Sequence, residues 1–235
     1  MVITGKRHAF RIAYRAGFDS DGRLEGVSFT HLVNCGWAQD LSLPVADRAM
    51  LHADNAYHLP ALRITSHRWK TNHQSATAFR GFGGPQGVIV AERIMEEIAY
   101  HRGLDSLEIR KRNFYGDNGR DVTPYHQTVE DNIAPRIVAD LEASADYQAR
   151  RQAVLDWNAK GGVIRKGIAL TPVKFGISFT ATWYNQAGAL LHIYSDGSIH
   201  LNHGGTEMGQ GLNTKIAQVV AAELQVDFDR IKITK

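Results

Sequence analysis

The sequence predicts an α+β fold, and three observations carry that prediction. Apolar residues at Phe10, Ile12, Tyr14, Ala16 and Phe18 alternate with Arg11 and Arg15, the two-residue period of a half-buried strand. Val88, Ala91, Met95 and Ile98 recur at the three- and four-residue spacing of a helix. Segments of these two kinds follow one another as hairpin, helices, strands and helix, not in the regular alternation of a parallel α/β wind.

Residues 8–35 read as a β-hairpin closed by Asp19-Ser20-Asp21-Gly22, with Val27, Phe29, Val33 and Cys35 inward on the return strand. Cys35 is there a small buried hydrophobe. A short helix is expected over Pro44–His52 and a strand over Leu62–Lys70. The clearest helix opens after Gly83-Gly84, with Pro85 in its first turn, and ends at Arg102-Gly103. Residues 116–135, with Gly116, Asp117, Asn118, Gly119, Pro124 and Pro135, form a long loop. One or two surface helices follow over 136–159, then strands over Val163–Thr180 and Gly188–Tyr194. Ser195–Ser198 turns the chain into a strand at Ile199–His203, and the glycine-rich loop Gly204–Gly211 leads into a helix from about Leu212 to Leu224. Ile216, Val219 and Val220 are its expected inward residues. Arg230–Lys235 alternates like a strand but has no following turn or partner in the sequence, and no internal repeat is visible. The chain therefore divides into 1–115, a connection over 116–160, and 161–235.

At 235 residues the chain suffices for one large domain or two small ones, and 43% hydrophobic with 22% charged residues excludes a disordered or fibrous class. No window approaches the roughly 18 apolar residues of a membrane helix. Met1–Lys6 has no signal-peptide character, so a cytoplasmic protein without a membrane partner is expected. A single cysteine can build neither a disulfide nor an iron–sulfur cluster within the chain. The net charge of +3 comes from scattered basic residues, which argues against a nucleic-acid partner. His200 and His203 lack a third ligand for zinc.

Two glycine-rich loops precede helices: Ala78-Phe79-Arg80-Gly81-Phe82-Gly83-Gly84-Pro85-Gln86 and His203-Gly204-Gly205-Thr206-Glu207-Met208-Gly209-Gln210-Gly211. Open amides, the positive end of a helix dipole and a guanidinium suit an anionic group or an electron-rich heterocycle. Each loop alone also reads as a tight turn whose glycines permit left-handed backbone. Neither matches a dinucleotide fingerprint or a P-loop, because Gln86 stands where a glycine is needed and Gln210 where a lysine is needed. Glu207, the one acid in these loops, reads as a loop anchor and not as a general base.

These two loops and Lys174-Phe175-Gly176-Ile177-Ser178-Phe179-Thr180 resemble, in order, three signature stretches of molybdenum hydroxylases of the xanthine dehydrogenase/oxidase family. The likeness runs along the whole chain. It implies a molybdopterin cofactor-binding domain, truncated at both ends, that takes part in hydroxylating a purine. Arg48 matches the family arginine that binds the purine and stabilises charge developing on it, the catalytic role expected of this chain. Phe82 and Phe179 match the aromatics that clamp the planar substrate, and Thr180 a hydroxyl near the substrate oxygen. Ala78, Phe79 and Arg80 resemble the loop beside metal and pterin, and Gln210 the amide that approaches the molybdenum; no residue is expected to ligate the metal directly. Read singly, Arg48 is a solvated helix charge and the two phenylalanines are core aromatics, so their place in the motifs carries the assignment.

The resemblance also implies what lies elsewhere. Family members have an upstream glycine-rich loop followed by a glutamate, and a downstream glutamate that serves as general base; neither has a counterpart here. Iron–sulfur (2Fe-2S) centres and FAD are expected on other domains or subunits, so residues 1–235 are expected to be inactive alone. An aldehyde- or N-heterocycle-oxidising relative and a non-catalytic binding module are the alternatives. The resemblance implies a purine and not an aldehyde, because aldehyde-oxidising relatives commonly lack the arginine matched by Arg48 and differ within the pair matched by Gly83-Gly84.

Overall fold

The computed structural model describes residues 4–116 and 119–234, in two units that divide after Thr180. Met1–Ile3, Asp117–Asn118 of the expected loop and Lys235 of the expected last strand lie outside the described residues.

In the first unit the hairpin forms as the period-two pattern predicts: β1 (Ala9–Phe18) runs antiparallel to β2 (Leu24–Gly36), with Phe10 opposite Val33 and Tyr14 opposite Phe29. The chain crosses through helix α1 (Ser42–Leu51) to β3 (Leu62–Lys70), which pairs parallel with β2. Helix α2 (Gly84–Arg102) has Pro85 in its first turn and is closed by Gly103. Its Val90, Ile94, Met95 and Ile98 pack with Leu24, Val27 and Phe29 of the sheet. Cys35 is buried in a smaller cluster with Val33 and Ala46.

Helix α3 (Ser106–Asn113) was not evident from periodicity, because only Leu107 and Ile109 of its eight residues are large and apolar. A local signal does start it: the Asp105 carboxylate accepts from the Leu107 amide at 2.7 Å, an N-cap bond. Its buried Arg110 donates to Glu92 at 2.7 Å and Glu96 at 2.6 Å on α2. The surface pair expected over 136–159 is α4 (Ala134–Ser144) and α5 (Tyr147–Ala159), of which only Val138 and Tyr147 are buried.

The strand expected over Val163–Thr180 is not formed: residues 163–180 are irregular, with bends at 163–164, 178 and 180, and belong to no sheet. Between 172 and 180 five backbone groups, on Pro172, Lys174, Gly176 and Ser178, are taken up by side chains of α1 and the turn that follows it, without a strand ladder.

In the second unit β4 (Ala189–Ile193) and β5 (Ile199–His203) form the expected hairpin, and α6 (Leu212–Leu224) has the expected bounds. Two expectations are corrected. The last segment does have a partner, since β6 (Ile231–Ile233) pairs parallel with β5. Val219 is not inward but 60% exposed; Ala217 is the buried residue of α6, flanked by half-buried Ile216 and Val220. Each unit thus contains an antiparallel hairpin, a helix, and a third strand parallel to the second. This repeat of topology has no counterpart as a repeat of sequence.

Candidate functional site

Helix α1 and the turn after it hold the segment 172–180 by side chains. Arg48, one turn from the helix end and only 4% exposed, donates through its two terminal nitrogens to the carbonyls of Gly176 and Ser178. Burial lowers the guanidinium's hold on its proton, yet arginine stays charged over the physiological range. One turn later His52 accepts from the Gly176 amide at Nε2, 2.9 Å, and bonds the Arg48 carbonyl through Nδ1, 2.9 Å. Asn55, fully buried, accepts from the Lys174 amide at 3.0 Å and donates to the Pro172 carbonyl at 3.0 Å. The Lys174 ammonium pairs with buried Asp54, which also accepts from the Tyr115 hydroxyl at 2.6 Å. Burial and the Asp54 charge push the Tyr115 hydroxyl well above the usual range. Thr180 donates to the Pro44 carbonyl at 2.9 Å.

The first glycine loop meets this segment through aromatic rings. Half-buried Phe82 and Phe179 contact each other with centroids 5.0 Å apart at 46°. The Arg48 guanidinium carbon lies 5.9 Å from the Phe82 ring centre and 5.1 Å from that of Phe175. Phe82 adopts φ +50°, left-handed backbone that is strained for a bulky residue and recurs at functional sites. Gly83 beside it, at φ +97°, has no room for a side chain, since a Cβ there would run into the Val45 carbonyl of α1. A Cβ at Gly84 would meet the Phe175 ring at 2.5 Å. The glycines thus bring α2 and α1 backbone to backbone and seat Phe82 over Arg48.

Ala78, Phe79 and Arg80 are exposed on the approach to this loop. The Arg7 guanidinium lies 4.3 Å from the Phe79 ring centre and donates to the Arg80 carbonyl at 2.6 Å, while its other terminal nitrogen finds no partner among the described residues. Helix α2 starts with no side-chain cap and no acid in its first turn. The leftover Arg7 donor beside the positive end of an uncapped helix fits an anionic, hydrogen-bonding cofactor such as a pterin phosphate.

In the second unit the loop before α6 is organised by Glu207, whose carboxylate accepts from the amides of Gly209 (2.8 Å), Gly211 (3.2 Å) and Asn213 (3.2 Å). These bonds hold its carboxyl below the usual carboxylate range, which makes it an anchor as its position suggested. Gln210 donates to the Thr206 carbonyl at 2.8 Å and accepts from the Met208 amide, so its amide closes on its own loop. His200 bonds Thr234 at 2.6 Å and His203 bonds Asn213 at 3.1 Å, each by its ring nitrogen.

The structure brings together Arg48, Phe82, Phe179 and Thr180 within the first unit. Sequence reasoning missed His52, Asp54 and Asn55. Their one signal was spacing: His52 follows Arg48 by four residues and so shares its helix face.

Two family models, each described as a molybdopterin cofactor-binding domain, match residues 1–114 and 140–235. The chain belongs to this family of molybdopterin cofactor-binding domains. Over all 235 residues it is 45% identical to the xanthine dehydrogenase/oxidase of Mus musculus and spans 18% of that protein. It is 42% identical to the xanthine dehydrogenase of Dictyostelium discoideum and spans 17% of it. An aldehyde oxidoreductase structure from Desulfovibrio desulfuricans shares the fold at TM-score 0.75 and 20% identity, over 98% of this chain and 25% of that one. Quinoline 2-oxidoreductase from Pseudomonas putida 86 does so at TM-score 0.73 and 23% identity, over 98% and 30% of the two chains.

Proposed function

We propose that this chain is part of the catalytic region of a xanthine dehydrogenase, an oxidoreductase that hydroxylates purines such as hypoxanthine and xanthine toward urate. Residues 1–115 and 161–235 are its two cofactor-binding parts and 116–160 the connection. The observation that carries the reading is Arg48: a buried guanidinium beside the Phe82–Phe179 pair, whose Nε–H has no partner among the described residues. A buried charge-bearing donor left over in this way is costly unless a ligand completes it.

Phe82 and Phe179 bind the faces and edges of a planar heterocycle. Arg48 orients the purine and places a fixed positive charge against the negative charge that accumulates on an electron-rich ring during C–H oxidation. Thr180 lies at the end of the same segment and keeps oxygen lone pairs for a substrate N–H or O–H. By the family resemblance, Ala78, Phe79 and Arg80 in the first unit and, separately, Gln210 in the second are the residues that would contact the cofactor. When bound, the molybdenum cofactor supplies two-electron redox and oxygen-transfer chemistry. The 2Fe-2S and FAD groups that carry electrons onward belong to other domains or subunits, and the assembly acts in the cytoplasm. Among the described residues no helix is long and apolar enough to cross a membrane.

The test is Arg48→Met in the intact oxidoreductase. Xanthine turnover falls roughly a hundredfold or more, as for the loss of one charge-stabilising donor. Unchanged xanthine turnover would remove the main support for a purine substrate. Residues 1–235 alone, purified from a host that makes the cofactor, are expected to hold no stoichiometric molybdenum and to show no turnover.

A further inference from the structure

We propose that His52 is a positioning residue for Arg48: as a neutral ring carrying its proton on Nδ1, it ties the end of α1 to Gly176 and so sets the two carbonyls that aim the guanidinium. The inference rests on the reading of Arg48 as the purine-binding arginine and goes beyond it.

The tautomer follows from the partners. The Gly176 amide can only donate, so Nε2, 2.9 Å away, must accept and carry no proton. The Arg48 carbonyl can only accept, so Nδ1, 2.9 Å away, must donate. A doubly protonated ring would keep the second bond and turn the first into two donors facing each other. The geometry therefore requires His52 neutral.

The consequence reaches Arg48 because the two residues hold the two adjacent peptide units that meet at Gly176, one by its amide and the other by its carbonyl. His52 holds the amide of Gly176 while Arg48 holds its carbonyl and that of Ser178. Residues 175–178 are exposed and unpaired with any strand, and among the described residues the hydrogen bonds to their backbone come from the Arg48 and His52 side chains. Asn55 fixes the segment farther back, at Pro172 and Lys174. His52 is the tie next to the guanidinium's acceptors, and its ring also packs on Phe175 with centroids 4.9 Å apart.

The groups facing the ring favour the neutral form. Arg48 on its own helix and Lys174 on the held segment are both cationic, and Asp54 in the following turn is an anion already paired with Lys174. From α2 it is the backbone-thin Gly87 that approaches the His52 main chain. Burial is the largest cause holding the ring below the usual histidine value; the two cations add to it, against the Arg48 carbonyl and Asp54, which favour the charged form.

The experiment measures hydrogen exchange of the Gly176 amide in the full 235-residue chain, relative to the intrinsic rate, from pH 8 to pH 4. Wild type is expected to protect the amide at pH 8 and to lose that protection in one step below pH 6.5. His52→Phe, which keeps a ring against Phe175, is expected to lose at least tenfold in protection at every pH. His52→Gln, which can accept but does not titrate, is expected to keep protection with no step. Equal protection in wild type and His52→Phe, or the same acid step in His52→Gln, overturns the proposal; the second comparison holds even where His52→Phe does not fold. A merely space-filling ring would show neither difference. In the intact oxidoreductase, His52→Phe is expected to weaken xanthine binding at least fivefold. If Arg48→Met weakens binding and His52→Phe does not, the link to Arg48 is overturned. If Arg48→Met has no effect, it is the purine reading that fails, and exchange at Gly176 still decides whether His52 holds the segment.

Discussion

The Phe82 and Phe179 rings touch each other, with centroids 5.0 Å apart and planes at 46°. A planar heterocycle bound between them must therefore part them, and it recovers their mutual contact as two contacts of its own. Phe179→Ala is expected to weaken purine binding by about 1 kcal/mol, roughly fivefold in Kd, the size of one aromatic pair interaction. Calorimetric titration of the intact oxidoreductase checks it; unchanged affinity would show that the pair is structural only.

Phe82 holds φ +50° between Gly81 and Gly83, both also at positive φ. Left-handed backbone costs a residue with a Cβ roughly 1 kcal/mol that glycine does not lose. Phe82→Gly is accordingly expected to be about 1 kcal/mol more stable than Phe82→Ala in denaturant melts. Ala as stable as Gly would mean that the loop relaxes out of this conformation.

Arg48 satisfies two backbone carbonyls that no strand reaches. A lysine has one ammonium where arginine has a fork, and it cannot reproduce both bonds in that geometry. Arg48→Lys is expected to destabilise the first unit by about 2 kcal/mol, the value of losing a charge-assisted hydrogen bond. Retained stability in urea unfolding would place the anchoring of 172–180 elsewhere, with Asn55 the first candidate.

His31 is fully buried between Phe10 and Phe29, and neither ring nitrogen has a hydrogen-bond partner among the described residues. Burial lowers its pKa from 6.5 to about 4. The unfolded chain takes up a proton near pH 6.5 that the folded chain refuses until about pH 4, so stability falls as pH drops through that window. His8, His52 and His58, all held low chiefly by burial, steepen the same limb. His31→Leu is expected to flatten the fall in melting temperature between pH 6.5 and 4. An unchanged slope would mean that His31 is hydrated or paired in solution.

Glu207 gathers three loop amides around one carboxylate. Glu207→Ala is expected to speed exchange at Gly209, Gly211 and Asn213 while leaving the β4–β5 ladder protected. Acid does the same as the carboxyl takes up a proton, below the usual carboxylate range. Exchange that is unaltered in this variant would assign the loop's order to Gln210 and its own two bonds.

Much of the fold was legible because its signals are local. The period-two pattern and Asp19–Gly22 turn specify the first hairpin, and Pro85 and Gly103 bracket α2 where dipole and backbone freedom place them. Helix α3 was hidden because its inward face includes Arg110, a charge whose partners Glu92 and Glu96 lie on another helix. Segment 163–180 misled for the opposite reason: its residues favour a strand, but no pattern within it says whether a strand ladder or a set of side chains will take its hydrogen bonds, and the segment is irregular.

By itself the sequence determined the α+β class, most helix and hairpin bounds, and the motifs that resemble the family, since each depends on residues a few positions apart. Tertiary structure alone decided that Arg48, 128 and 130 residues from its acceptors Gly176 and Ser178, is a buried anchor and not a solvated charge. It alone decided that His52 and Asn55 share that task, and that each unit repeats one hairpin, helix and parallel strand. These are relations between distant segments, and a hydrogen bond is set by where donor and acceptor meet in space, which local propensity does not encode.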